Sequence, residues 1–446
     1  MTKLWKKDTD ALQQVTDFTV GDDLQWDAVL APFDLFGSIA HVLMLEKVGL
    51  LEKEECNQVV KGLQGLYKEF TQPGFSIPEG YEDIHSYVEA LLTDSLGDPG
   101  KKIHTARSRN DQVLVDTKLY LRESLANILE EVVALSGELL DLSEKHKEDL
   151  LPGYTHLQLA MPSSFGLWFG AYAESFIDDL EQSQTAYAYT NKNPLGSAAG
   201  FGSSFPIDRD LTTKLLGFDQ PHINSVAAQM SRGKTERIVA QSLVNIADTM
   251  SRLAMDVTLY ANPHFGFISF PKEWTTGSSI MPHKKNLDVM ELIRARCNQI
   301  KALPNELFLL SGNLPSGYHR DFQLTKTHLF PAIESLLSSL QLMRAMLQSI
   351  EVKKGLLDDV KFNELFSVEN VNQLVQEGVP FREAYRQVGL AIEKGEYSPE
   401  RELNHTHLGS IGNLGTERLR DRLHNVWSTL PIDENRAALQ RLLQPR

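Results

Sequence analysis

Cysteine is nearly absent from this 446-residue chain: only Cys56 and Cys297 occur, far apart and without CxxC or Cys/His metal spacing. That leaves no disulfide framework and no thiolate zinc site, and it fits a reducing, cytoplasmic setting. A basic surplus is missing too. The chain has 44 Lys and Arg against 59 Asp and Glu, a formal net charge of −15. Such a balance opposes general binding to nucleic acid or to an anionic membrane, since both require a basic face. No stretch reaches the ~18 uninterrupted apolar residues of a membrane span. Residues 1–7 are polar and lack the apolar core of a signal peptide. What remains is an ordinary globular balance, 42% hydrophobic and 23% charged, long enough for two or three domains or one elongated one.

Proline is missing where it would matter for long helices. None lies between Pro99 and Pro152, or between Pro221 and Pro263. In the first gap Leu121, Leu125, Ile128, Val132, Leu135, Leu139 and Leu142 alternate at steps of four and three. In the second, Val239, Leu243, Ile246, Met250, Leu253, Val257 and Tyr260 do the same. A third run joins Ile333, Leu336, Leu340, Met343, Leu347 and Ile350. This spacing keeps one side of a helix apolar over many turns. Helices of roughly 30–40 residues would span about 45–60 Å, too long to wrap a small core but suited to a bundle of near-parallel helices. Strand-like alternation is scarce. The expected fold is mainly α: an elongated bundle of long central helices (107–360) between smaller helical N-terminal (1–106) and C-terminal (361–446) lobes.

Gly-, Ser- and Pro-rich stretches separate these runs, and in a rigid bundle such loops are where chemistry sits. The most informative reads Gly277-Ser278-Ser279-Ile280-Met281-Pro282-His283-Lys284-Lys285-Asn286. By composition it is a surface loop with a basic tip, or an anion site with a hydroxyl beside it. Its residue order resembles the signature of the fumarase, aspartase and argininosuccinate lyase superfamily. Members of that superfamily remove a proton next to a carboxylate and expel an amine or hydroxyl from the neighbouring carbon, giving fumarate. The demanding step makes a dianionic aci-carboxylate, which needs fixed positive charge and hydrogen-bond donors. The resemblance implies Ser278 as the base, acting as an alkoxide, with Lys284 and Asn286 holding the carboxylate on which charge builds. It implies no cofactor and no metal.

Other stretches extend the resemblance. Gly153-Tyr154-Thr155-His156-Leu157-Gln158 matches the superfamily's second motif. It implies His156 as acid or partner of the leaving group, Thr155 as a substrate contact, and Glu291 as the carboxylate that orients His156. Arg107-Ser108-Arg109-Asn110-Asp111-Gln112 resembles a stretch of argininosuccinate lyases in particular. There the guanidinium suits a carboxylate, and Ser108, Arg109 and Asn110 become expected substrate contacts. The same residues also read as a capped helix start, with Asn110 or Asp111 as N-cap. Tyr318, Gln323 and Lys326 match the segment that reads the arginine end of the substrate. His85, in Glu82-Asp83-Ile84-His85, matches an active-site histidine, and Arg209 a contact to the arginine-side carboxylate. His405-x-His407 reads as solvated histidines rather than as metal ligands.

The resemblance runs from Lys3-Leu4-Trp5 to Gly378–Ala384. Departures from it fall at Lys6-Lys7-Asp8-Thr9, at Asp23 (a substrate-touching serine elsewhere), at Ala106 (usually Gly), across Gln229–Gly233, at Leu287 (usually Pro) and at Tyr385 (commonly His). As a whole it implies reversible β-elimination of argininosuccinate to L-arginine and fumarate, in arginine biosynthesis. It also implies a homotetramer whose active sites draw on three chains. The alternatives are a sister fumarate-forming lyase acting on adenylosuccinate, aspartate or malate, and an inactive structural protein like the crystallins that resemble this enzyme.

Overall fold

The computed structural model describes residues 12–445; the stretches Lys3-Leu4-Trp5 and Lys6-Lys7-Asp8-Thr9 lie outside them. The protein is mainly helical, and among the described residues strand occurs only as three two-stranded ribbons. Each apolar run named above forms the seam of one long helix, save that Ile350 falls just beyond the end of the third. The first lies on Arg109–Lys145, the second on Lys234–Ala261 and the third on Leu324–Leu347. Every seam residue from Leu121 to Leu142 is at most 5% exposed, so the four-three spacing does what amphipathic spacing requires. At 37 residues, the 109–145 helix spans about 55 Å.

Two further long helices gave no such periodic signal. Phe165–Thr190 packs along both the 109–145 and 234–261 helices. Its aromatic face buries Phe165, Phe169 and Phe176, and Trp168 Nε1 and Tyr172 Oη both donate to Asp256 Oδ2 at 3.1 and 2.7 Å. Asp23–Lys47 is apolar nearly all round, the mark of a helix enclosed on every side. By length and composition it could cross a membrane, yet 72% of its most apolar window is buried inside the protein.

The 23–47 helix packs on Lys53–Phe70, Ile84–Leu96 and the first turns of 109–145, forming a second core beside the central bundle. Beyond residue 366, Ser367–Gln376 and Phe381–Glu393 enclose a small cluster of Val371, Ala384 and Val388. The chain then returns: Thr416–Ser428 lies on the 109–145 and 165–190 helices, and Ile432–Leu442 reaches the 23–47 helix.

The start of the 109–145 helix matters for the site. Its N-cap is Ser108, not Asn110 or Asp111. Ser108 Oγ accepts from the Asn110 amide, and Asp111 Oδ1 accepts in return from the Ser108 amide at 2.9 Å, a reciprocal cap. Asp111 is the third helical residue and so belongs inside the first turn. Two residues earlier Ala106 has φ 62°. The chain makes a left-handed turn there at the steric cost of a Cβ.

Candidate active site

Six of the expected substrate contacts come together. His85, Arg109, Asn110, Tyr318, Gln323 and Lys326 line one cleft of about 150 Å³, with Asp23, Asp27, Glu82, Asp83, Arg232 and Arg320. Each is placed by a local device. Asp83 caps the 84–96 helix by accepting from the Ser86 amide at 2.8 Å, which sets His85 in the first turn. Arg109, also in a first helical turn, is clamped by Glu82 Oε2 at 3.2 Å and Asp83 Oδ2 at 3.0 Å. Gln323 and Arg320 donate to the Thr19 carbonyl at 3.0 and 2.8 Å, fastening the N-terminal chain across the cleft.

Lys326 is 2% exposed and lies 2.8 Å from Asp23 Oδ1 and 2.7 Å from Asp27 Oδ1. Burial opposes its charge, but the two carboxylates outweigh that and raise its pKa. Asp23 is pushed up by burial, pulled down by Lys326 and pushed up again by Asp27, settling at about 6. Mixed charge in so small a space suits a zwitterionic ligand with separate anionic and cationic ends. Since Asp23 stays protonated below about pH 6, Lys326 is freer to bind a ligand carboxylate there and is more fully neutralised above. The expected result is a KM for an anionic substrate that rises about threefold between about pH 5 and pH 7. In Asp23→Asn this rise should vanish. Steady-state kinetics across that window check it, and an identical rise in the variant defeats it.

The remaining expected residues stand elsewhere in the single chain. Thr155 and His156 sit at the exposed tip of a hairpin, Leu150–Thr155 paired with Gln158–Ser164. The tip is a two-residue turn with φ 54° at His156 and 58° at Leu157, a geometry that normally selects Asn-Gly. Two side-chain-bearing residues held there are strained, and such strain gathers at functional positions. The 277–285 loop is closed at its base, where Thr276 and Asn286 exchange backbone hydrogen bonds of 3.0 and 2.9 Å. Inside it Ser278 Oγ accepts from the amides of Met281 at 3.1 Å and Ile280 at 3.4 Å. Asn286 Nδ2 reaches the Gly277 carbonyl at 3.4 Å, and Lys284 is exposed. Glu291 is exposed on Asp288–Ile300. Arg209 donates to the Leu195 carbonyl at 3.0 Å and does not line the cleft.

Sequence reasoning missed Asp27, Arg232 and Arg320 as cleft residues. A signal for Asp27 existed: Asp23, Asp27, Asp34 and His41 fall on one face of an otherwise apolar helix. Arg232 lies in the departing Gln229–Gly233 segment, bound to Glu236 Oε1 at 2.7 Å and directed at the Phe322 carbonyl. His405 is engaged by Glu369 at 3.0 Å.

Comparison with known proteins gives the fold and the family. A family described as Lyase matches residues 3–302. The structure of an EDDS lyase in complex with formate has a TM-score of 0.82 at 22% identity, covering 97% of this chain and 95% of that one, so the fold is that of this group of lyases. Argininosuccinate lyase of Parabacteroides distasonis is 51% identical over 441 residues, 99% of both chains. That of Bacteroides fragilis is 52% identical over 417 residues, 94% of this chain and 93% of its own. The chain belongs to the argininosuccinate lyase family.

Proposed function

We propose that the protein cleaves argininosuccinate to L-arginine and fumarate in the cytoplasm, without a cofactor, as a homotetramer whose sites combine three chains. The observation that carries the reading is one cleft. Stretches around residues 85, 109 and 320, each matched independently to the family, converge on it with charges of both signs. Argininosuccinate has three carboxylates, an ammonium and a guanidinium. Arg109 and His85 suit a carboxylate, while Tyr318, Gln323 and the acids around Lys326 suit the arginine end.

Ser278 is the base in this reading. The two amides that already donate to its Oγ would strengthen as it becomes an alkoxide, and Lys284 and Asn286 would hold the carboxylate that gains charge. His156, oriented by Glu291, would serve the leaving nitrogen. Assembly is supported by apolar side chains left open beside these groups: Leu157 is 74% exposed and Ile280 82%. Burial against partner chains would cover them and carry the hairpin and loop to a neighbour's cleft.

The test follows fumarate by ultraviolet absorbance after adding argininosuccinate to the purified protein, with adenylosuccinate, aspartate and malate in parallel. Turnover of argininosuccinate alone is expected. Turnover of another substrate would keep the elimination and discard the assignment of the Tyr318–Lys326 segment, and silence with all four would sink the reading.

A further inference from the structure

Behind the cleft, His85 is backed by two buried acids, Asp34 and Asp116, to which the reaction above gives no part. His85 Nδ1 donates to Asp34 Oδ1 at 2.7 Å, and Asp116 Oδ2 is 3.8 Å from the same nitrogen. Asp34 and Asp116 are each 1% exposed. Among the described residues, Asp34 Oδ2 and both oxygens of Asp116 have no hydrogen-bond partner. Asp34 comes from the 23–47 helix, Asp116 from the 109–145 helix and Asp83 from the cap of His85's own helix. Arg107, His104 and Arg109 face the group from the turn between, and Arg107 NH1 is fastened to Ser38 Oγ at 3.0 Å.

Two buried carboxylates this close do not both ionise readily. Burial first, then the charge of Asp34, holds the Asp116 carboxyl well above the usual carboxylate range. Asp34 is the carboxyl that accepts from the ring. With Nδ1 committed to it, Nε2 is the ring atom left for the cleft that His85 lines.

We propose that Asp34 is a positioning residue: it fixes the His85 ring, keeps it doubly protonated and aims Nε2–H at an anionic group of the substrate, while Asp116 stands behind as a neutral acid. The arrangement extends the carboxylate–imidazole logic of other sites to a binding role. Burial alone would discharge His85, yet the charge and hydrogen bond of Asp34, with Asp83 adding, raise its pKa to about 9. The ring therefore stays cationic throughout the neutral range, and its hold on an anion is lost only as pH rises through about 9. The inference rests on the cleft being the substrate site, and its test separates the two.

The test uses the full-length protein in its native assembly with histidine carbon-13-labelled at Cε1, the His85 signal being the one absent from His85→Gln. The wild-type signal should titrate near 9. Asp34→Asn should lower that midpoint by about 2 units or more. Asp116→Asn, an amide in place of a neutral acid, should move it by less than about half a unit. In turnover near neutral pH, Asp34→Asn and His85→Gln should each raise KM about tenfold or more with kcat within a few-fold. The double variant should be no worse than His85→Gln alone. An unmoved His85 midpoint in Asp34→Asn, an equal shift in Asp116→Asn, or additive losses in the double variant would each overturn the proposal. Wild-type protein that turns over no argininosuccinate, with the titrations as expected, would overturn the functional reading and leave the Asp34–His85 pair standing.

Discussion

Ser278→Ala is expected to lower kcat on argininosuccinate by about 10³-fold or more while KM stays within a few-fold. The base acts only while the proton leaves carbon, so its loss removes stabilisation from the transition state and not from the bound substrate. A serine hydroxyl is a poor base in water. It becomes useful when donors meet the oxygen as charge forms and when water is excluded as the loop closes. The amides of Met281 and Ile280 already supply the donors, and the Thr276–Asn286 bridge fixes the loop's base. Ser279, the neighbouring hydroxyl with the same local composition, is the control: Ser279→Ala should keep most of kcat. Single-turnover and steady-state kinetics on both variants decide. A raised KM with near-normal kcat in Ser278→Ala, or equal losses in the two variants, would remove Ser278 from the base's role. Because Ser278 is half-buried in a loop outside the hydrophobic core, both variants should melt at the wild-type temperature, which excludes misfolding as the cause.

How far this site could be read in advance varied with the physics of each part. The seams of the 109–145, 234–261 and 324–347 helices were legible because each faces core on one side and solvent or polar neighbours on the other, which writes a period into the sequence. The 165–190 and 23–47 helices were not. The first buries aromatics on more than one face, and the second is enclosed almost completely, so neither shows a clean alternation. The cleft residues near 85, 109 and 320 were legible through local motifs. Their meeting in space was not, since it depends on three helices arriving at one place. Asp34 and Asp116 were missed for a related reason: within apolar runs, single acids read as noise until a third element supplies the histidine they face. The His156 turn and the 277–285 loop were found by residue order, while their meeting with the cleft in the proposed assembly lies beyond any one chain's periodicity.

The second large effect is on stability. Asp111→Ala is expected to destabilise the fold by about 3–5 kcal/mol. Asp111 is completely buried. Its Oδ1 accepts from the Ser108 amide, and its Oδ2 accepts from the amides of Gly196 and Ala198, each at 2.9 Å. One carboxylate thus caps the longest helix and also holds the 194–200 turn, where Gly196 and Ala198 adopt φ of 88° and 50°. Alanine would strand three amide donors at about 1–3 kcal/mol each, less whatever the turn recovers by opening to water. It would also leave Arg107 without one of the carboxylates that offset its burial. Asp111→Asn keeps one oxygen acceptor and should satisfy either the cap or the turn, at roughly half the cost. Urea unfolding at fixed protein concentration distinguishes these outcomes through the midpoint. Because Ser108, Arg109 and Asn110 ride on the capped turn, the alanine variant that still folds should also bind substrate more weakly. A midpoint for Asp111→Ala equal to that of Asp111→Asn would mean that the amides find water unaided, and that the helix start is held by its packing against the 23–47 helix instead.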